Sequence, residues 1–123
     1  MPNFRTSGAF MSRPVLAAVF LALASGSPAL AADGAQLFNM QCRMCHTGGP
    51  MGPSLVGVAG GPIAAKTFAY SPGLKAKGGT WTDANLDAYL KQPAAFSPGT
   101  KMLINVPSAE VRAALIEYLK TLK

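Results

Sequence analysis

Residues Cys42-Arg43-Met44-Cys45-His46 form a C-x-x-C-H motif. At the end of a helix, residues three apart share a face. Two thiols there can reach the two vinyl groups on one edge of a porphyrin. His46 follows directly and is placed to bring its imidazole to the iron. The pattern is that of c-type haem attachment. Two other uses of the cysteine pair fit less well. The whole chain holds 2 Cys and 1 His, too few to complete a four-coordinate zinc site. A thioredoxin-like redox pair wants an alternating βα pattern, which is absent.

An iron held by His46 needs a second ligand across the ring. No second histidine exists. Met40 and Met44 lie on the attachment segment itself, and Met51 leaves only a short path around a macrocycle. Met102 stands far downstream in Ser97-Pro98-Gly99-Thr100-Lys101-Met102. A Met is often simple core filler, but the stiff Pro-Gly turn and the need for a distal ligand single out Met102.

The elements that must position these groups read as short helices. Asp33 caps a first helix running through Gly34 to about Cys45. Residues 47–69 are rich in Gly and Pro and read as loop. Ser71-Pro72 starts a short helix to about Lys77, ended by Gly78-Gly79. Thr82 caps a helix from Asp83 to about Lys91, and Asp83 suits the positive end of its dipole. Pro93 follows that helix. Pro107-Ser108 opens the last one, with Val111, Leu115, Tyr118, Leu119 and Leu122 on its apolar face. No strand pair with a hairpin turn is readable, so the fold class is all-α.

The N-terminus reads as an address. Arg5 and Arg13 precede an uninterrupted apolar run, VLAAVFLALA, then Ser25-Gly26-Ser27-Pro28 and the small-residue site Ala29-Leu30-Ala31. These are the three parts of a secretory signal peptide. The run falls well short of the roughly 20 residues that cross a bilayer. The arginines are not paired, so the signal is of the Sec type. Residues 1–31 are expected to be removed, leaving residues 32–123 as one domain. The formal charge of the whole chain is +6, from 11 Lys+Arg and 5 Asp+Glu. Cleavage takes two cations and no acid. The remaining surplus is too weak to suggest nucleic-acid binding. Half of the residues are hydrophobic and only 13% are charged, which argues for a folded chain.

With these motifs in place, the sequence resembles class I cytochromes c of the mitochondrial and bacterial cytochrome c2 type. The resemblance spans Asp33 to Lys123. It rests on Cys42-x-x-Cys45-His46, Gly52-Pro53-x-Leu55, Tyr70-Ser71-Pro72, Gly79-Thr80-Trp81-Thr82, Leu86-x-x-Tyr89-Leu90 and Pro98-Gly99-Thr100-Lys101-Met102, in the family's order. It implies the cytochrome c fold, with short helices and Gly/Pro-rich loops around one covalent haem c. By the same resemblance the Pro53 carbonyl accepts from the Nδ1 hydrogen of His46, and Tyr89 hydrogen-bonds near the Met102 sulfur. Tyr70 and Trp81 donate to a buried propionate, and Thr100 holds the Met102 loop. Gly34 and Phe38 pack against the last helix near Leu115 and Tyr118. Two departures stand out. Many relatives carry an Arg after the Gly57 region, where this chain reads Val58-Ala59-Gly60-Gly61-Pro62, leaving Lys66 as a substitute. Relatives often place lysines around the P-G-T-K-M element, where this chain has Ala94-Ala95 and Leu103-Ile104-Asn105-Val106-Pro107. The rim is expected to be more apolar, with Lys101, Lys91 and Lys66 as its remaining cations.

His46/Met102 ligation fills both axial positions and leaves no vacancy for bond-breaking chemistry. The chain is therefore expected to be a soluble periplasmic one-electron carrier, not an enzyme, and a monomer when free. Its donor would be a quinol-oxidising complex or a periplasmic dehydrogenase, and its acceptor an oxidase or reductase. The apolar rim leaves a dedicated subunit of a dehydrogenase complex as an alternative, since a lysine ring steers a free carrier. A gas-binding haem sensor or peroxidase would need an open iron, against which Met102 argues. No stable membrane insertion is expected.

Overall fold

The computed structural model describes Asn3, Gly8 and residues 33–123. The signal peptide expected over residues 1–31 therefore lies, but for those two positions, outside the described residues. Five helices follow in order: α1 (Gly34–Gln41), α2 (Pro72–Lys77), α3 (Asp83–Lys91), α4 (Pro93–Phe96) and α5 (Ala109–Leu119). Among the described residues there is no strand, only an isolated antiparallel bridge between Pro62 and Thr80.

Four helices begin on side-chain caps that were legible as Ser, Thr and Asp. Asp33 accepts from the amides of Ala35 and Gln36. Ser71 accepts from Leu74, Thr82 from Asn85 and Ser108 from Val111. Each such cap stabilises by about 1 kcal/mol. α2 and α3 end where expected. α4 was not anticipated: Pro93, which closes α3, also supplies the N1 residue of a new single turn, a position where its missing N–H costs nothing.

The first helix is shorter than the sequence suggested. It stops at Gln41 rather than reaching Cys45. The amides of Cys42 and Arg43 both donate to the Phe38 carbonyl, at 2.9 and 3.0 Å, so the ladder slips by one residue there. A separate turn then closes, with Cys45 and His46 both donating to the Cys42 carbonyl at 3.2 and 3.0 Å. The attachment motif therefore sits on a turn of its own, not on a helix face.

α1 and α5, the first and last helices, pack together, and α5 also packs on α3. The α1–α5 crossing is close because Gly34 has no side chain. A Cβ there would lie 2.9 Å from the Tyr118 Cβ and overlap the Ala114 carbonyl oxygen. One turn on, the Phe38 and Tyr118 rings meet with centroids 5.1 Å apart, as expected for ordinary core packing. Among the described residues Leu115 is the most enclosed apolar one, 1% exposed. The buried face of α5 also includes Ile116 and Arg112. Arg112 joins three segments: its Nε donates to Asp87 Oδ1 at 2.7 Å, and its Nη1 donates to the Val106 and Pro107 carbonyls at 2.9 Å each. It fixes the end of the segment that follows Met102.

Candidate functional site

The helices and loops enclose a largely apolar cleft of about 340 Å³, within the usual range for cofactor sites of roughly 300–1,000 Å³. All nine residues singled out from the sequence line it: Cys42, Cys45, His46, Pro53, Tyr70, Trp81, Tyr89, Thr100 and Met102. The rest of the wall is mainly aliphatic and aromatic, including Phe38, Leu74, Leu86, Leu90, Leu115 and Leu119.

Cys42 and Cys45 are free and half-buried. Burial pushes the Cys42 thiol above its ordinary pKa, and the Cys45 sulfur beside it adds to the rise. His46 is held from behind. Its Nδ1 lies 2.9 Å from the Pro53 carbonyl oxygen. A carbonyl only accepts, so Nδ1 carries the hydrogen and Nε2 of the neutral ring keeps its lone pair. Gly52 makes this approach possible. A Cβ there would stand 2.9 Å from the Cys45 carbonyl oxygen and 3.1 Å from His46 Nδ1.

The methionines of the described domain divide by exposure and place. Met40 and Met44 are exposed and do not line the cleft, whereas Met102 is partly buried against the core and does. Met51 touches the cleft too, but from its exposed edge. The Met102 loop is braced by the Thr100 amide, which donates to Ser97 O at 3.0 Å. Thr100 Oγ1 and Tyr89 Oη are 2.7 Å apart. Tyr89 thus reaches the loop through Thr100, two residues before Met102. Burial raises the Tyr89 phenol pKa; the Thr100 bond offsets this in part and Tyr70 adds a smaller upward push.

Tyr70 and Trp81 both line the cleft. Tyr70 Oη accepts from the Lys66 amide at 3.2 Å, which leaves its own hydrogen free to donate. Trp81 is buried and stacks on Phe96 with centroids 5.7 Å apart and planes 22° from parallel. Its backbone is fixed by Gly60 and Gly61, each bond at 2.8 Å. Lys66 does not line the cleft, and its ammonium stands in the Gly57 region, 3.5 Å from where a Gly57 Cβ would be. Lys91 does not line it either. Of the three expected rim cations, Lys101 lines the cleft.

Two thiols, an imidazole with a free Nε2, a thioether and an apolar wall form a donor set that fits haem c. Residues 31–123 match the family described as Cytochrome c. The chain belongs to the cytochrome c family. It is 40% identical over 95 residues to a cytochrome c of Tetrahymena pyriformis, covering 74% of this chain and 87% of the relative. A cytochrome c2 of Rhodospirillum rubrum is 39% identical over 133 aligned positions, 93% of this chain and 97% of the relative. Among solved structures, cytochrome cH from Methylobacterium extorquens matches with a TM-score of 0.67 at 34% identity, covering 74% of this chain and 97% of that one. As a member of this family the chain is a monohaem electron carrier and not an enzyme. It holds one covalent haem c, with Cys42 and Cys45 at the attachment positions.

Arg112 is the site-supporting residue that sequence reading missed. A lone Arg on an otherwise apolar helix face, four residues before Ile116, was its only signal.

Proposed function

We propose that this cytochrome works as an exported one-electron shuttle whose iron is held by His46 and Met102. The observation that carries this reading is the cleft itself: His46, oriented by Pro53, and Met102, braced through Thr100 and Tyr89, face one apolar space. Haem c, when bound, supplies reversible exchange of one electron between ferric and ferrous iron. The protein's residues do the rest. Pro53 fixes the tautomer and plane of His46, the kind of support that tunes a ligand. The thioether of Met102 and the apolar wall both favour the less charged, reduced state and raise the potential. Tyr70 and Trp81 are placed to donate hydrogen bonds to a carboxylate entering the cleft.

Replacing Met102 with Ala should open the iron, lower the midpoint potential and allow cyanide to bind the ferric protein readily. An unchanged spectrum and potential would remove Met102 from the site.

Export is supported by the residue 1–31 pattern and by the Rhodospirillum rubrum match, which reaches N-terminal of residue 31. No helix among the described residues is long and apolar enough to cross a membrane. The reading makes the carrier periplasmic, taking electrons from a quinol-oxidising complex or dehydrogenase and passing them to an oxidase or reductase. Expression of the full chain in a Gram-negative host should yield a periplasmic holoprotein beginning at Ala32. Mass spectrometry that finds residue 1 still attached would refute cleavage at Ala31.

A further inference from the structure

Residues 33–123 contain four methionines, Met40, Met44, Met51 and Met102. A buried methionine fills irregular gaps in a core. Met102 alone of the four packs against the core. Met40 is 69% exposed and Met44 79%, and neither lines the cleft. They stand on either side of Cys42, Met40 in the last turn of α1 and Met44 on the attachment turn. Met51 is exposed too, but it lines the cleft that the cofactor fills. A leucine at position 40 or 44 would occupy nearly the same volume. What methionine adds in solvent is a thioether, which two-electron oxidants convert to the sulfoxide.

The other sulfurs are placed differently. Cys42 and Cys45 are half-buried and line the cleft. Met102 lines it as well, on a loop braced through Thr100 and Tyr89. Its thioether is the one whose loss matters most, because a sulfoxide there no longer offers the soft sulfur ligand that raises the potential. Oxidation of exposed Met40 or Met44 disturbs no core contact. Susceptibility follows exposure, so the domain keeps two reactive thioethers in solvent and the functional one inside.

We propose that Met40 and Met44 are sacrificial oxidation sites that consume hypohalous acid before it reaches Met102. This rests on the reading of Met102 as the axial ligand. Hypochlorous acid transfers its oxygen to the thioether. An S–O bond forms, the O–Cl and O–H bonds break, sulfur gives up an electron pair, and chloride and a proton leave. The step is reversible by a methionine sulfoxide reductase. A dithiol then supplies the electron pair and two protons, and the oxygen leaves as water. Exposure of Met40 and Met44 puts both within reach of the oxidant and of the repair enzyme.

The test treats the ferric holoprotein with less than one equivalent of hypochlorous acid, quenches it, and maps sulfoxide at each methionine by peptide mass spectrometry. Sulfoxide at Met40 and Met44 together should exceed that at Met102 by about fivefold or more. The pair Met40→Leu with Met44→Leu removes both sulfurs and keeps the volume, and its midpoint potential before treatment should match the parent's. At the same dose its Met102 sulfoxide should rise about threefold or more. Its potential should then fall for the oxidised fraction, while the parent's holds. Oxidation of Met102 in step with Met40 and Met44 in the parent would overturn the proposal. So would Met51 oxidised ahead of both. Unchanged Met102 sulfoxide in the double variant would show that the pair is merely exposed and shields nothing. Met102 sulfoxide that left both spectrum and potential unaltered would instead sink the axial-ligand reading, which separates the two failures.

Discussion

Gly52 is the position where a single added carbon tests the site. A Cβ there meets the Cys45 carbonyl and the His46 ring, both backed by neighbours that cannot retreat far. Gly52→Ala should displace the imidazole and weaken its bond to Pro53. The absorption spectrum of the purified holoprotein should then differ from the parent's, and an identical spectrum would show that the ring has not moved. Tyr89 makes a different prediction. Its phenol pKa lies above the ordinary value of about 10, chiefly through burial. A group raised on folding contributes stability that is complete below the unfolded pKa and is lost as pH climbs through the folded one. Tyr70 is raised as well, also by burial. Phenolate absorbance should therefore show tyrosines lagging behind the ordinary range, and Tyr89→Phe should remove one of them and flatten the alkaline fall in stability. At this scale the sequence was most readable where chemistry restricts the choice of residue. Cys42, Cys45 and His46 announce themselves because few other uses fit two thiols and one imidazole. Arg112 did not, because its partners, the Val106 and Pro107 carbonyls, are backbone atoms that leave no mark in the sequence.

The turns between helices carry their own tests. Ala64 is the one non-glycine residue with a positive φ, 58°, among the described residues. A left-handed conformation costs an L-residue roughly 1–2 kcal/mol, part of which glycine would return as extra freedom in the unfolded chain. Ala64→Gly should raise stability by about 0.5–1 kcal/mol, measured by denaturant midpoint at unchanged slope. Arg112→Met keeps much of the length but leaves the buried Val106 carbonyl without its donor. That should cost about 1–3 kcal/mol and loosen the segment joining Met102 to α5, visible as faster amide exchange through residues 103–107. The capped starts of α1, α2, α3 and α5 were legible because a cap is a local bond between a side chain and nearby amides. The end of α1 was not. It is set by two amides competing for the Phe38 carbonyl, and no residue type in Cys42-Arg43 signals that.

For the whole molecule, the core and the site are the same place. Phe38, Leu74, Trp81, Leu86, Leu90, Leu115 and Leu119 are buried core residues that also line the cleft. Removing the cofactor takes away what these side chains pack against. An apoprotein, made by Cys42→Ala with Cys45→Ala to prevent attachment, should lose most of its helical circular dichroism. A haem-free chain that kept it would show that the cleft holds without its contents. Contact between α1 and α5 bears on timing as well. The two helices that close the fold are separated by residues 42–108. At synthesis rates of about 5–20 residues per second, α1 and the C-x-x-C-H turn precede α5 by roughly 3–15 s. Through that interval the face of α1 that Leu115 and Tyr118 will cover has no partner. The order of the chain thus leaves α1 without its main packing surface until the last helix has been made.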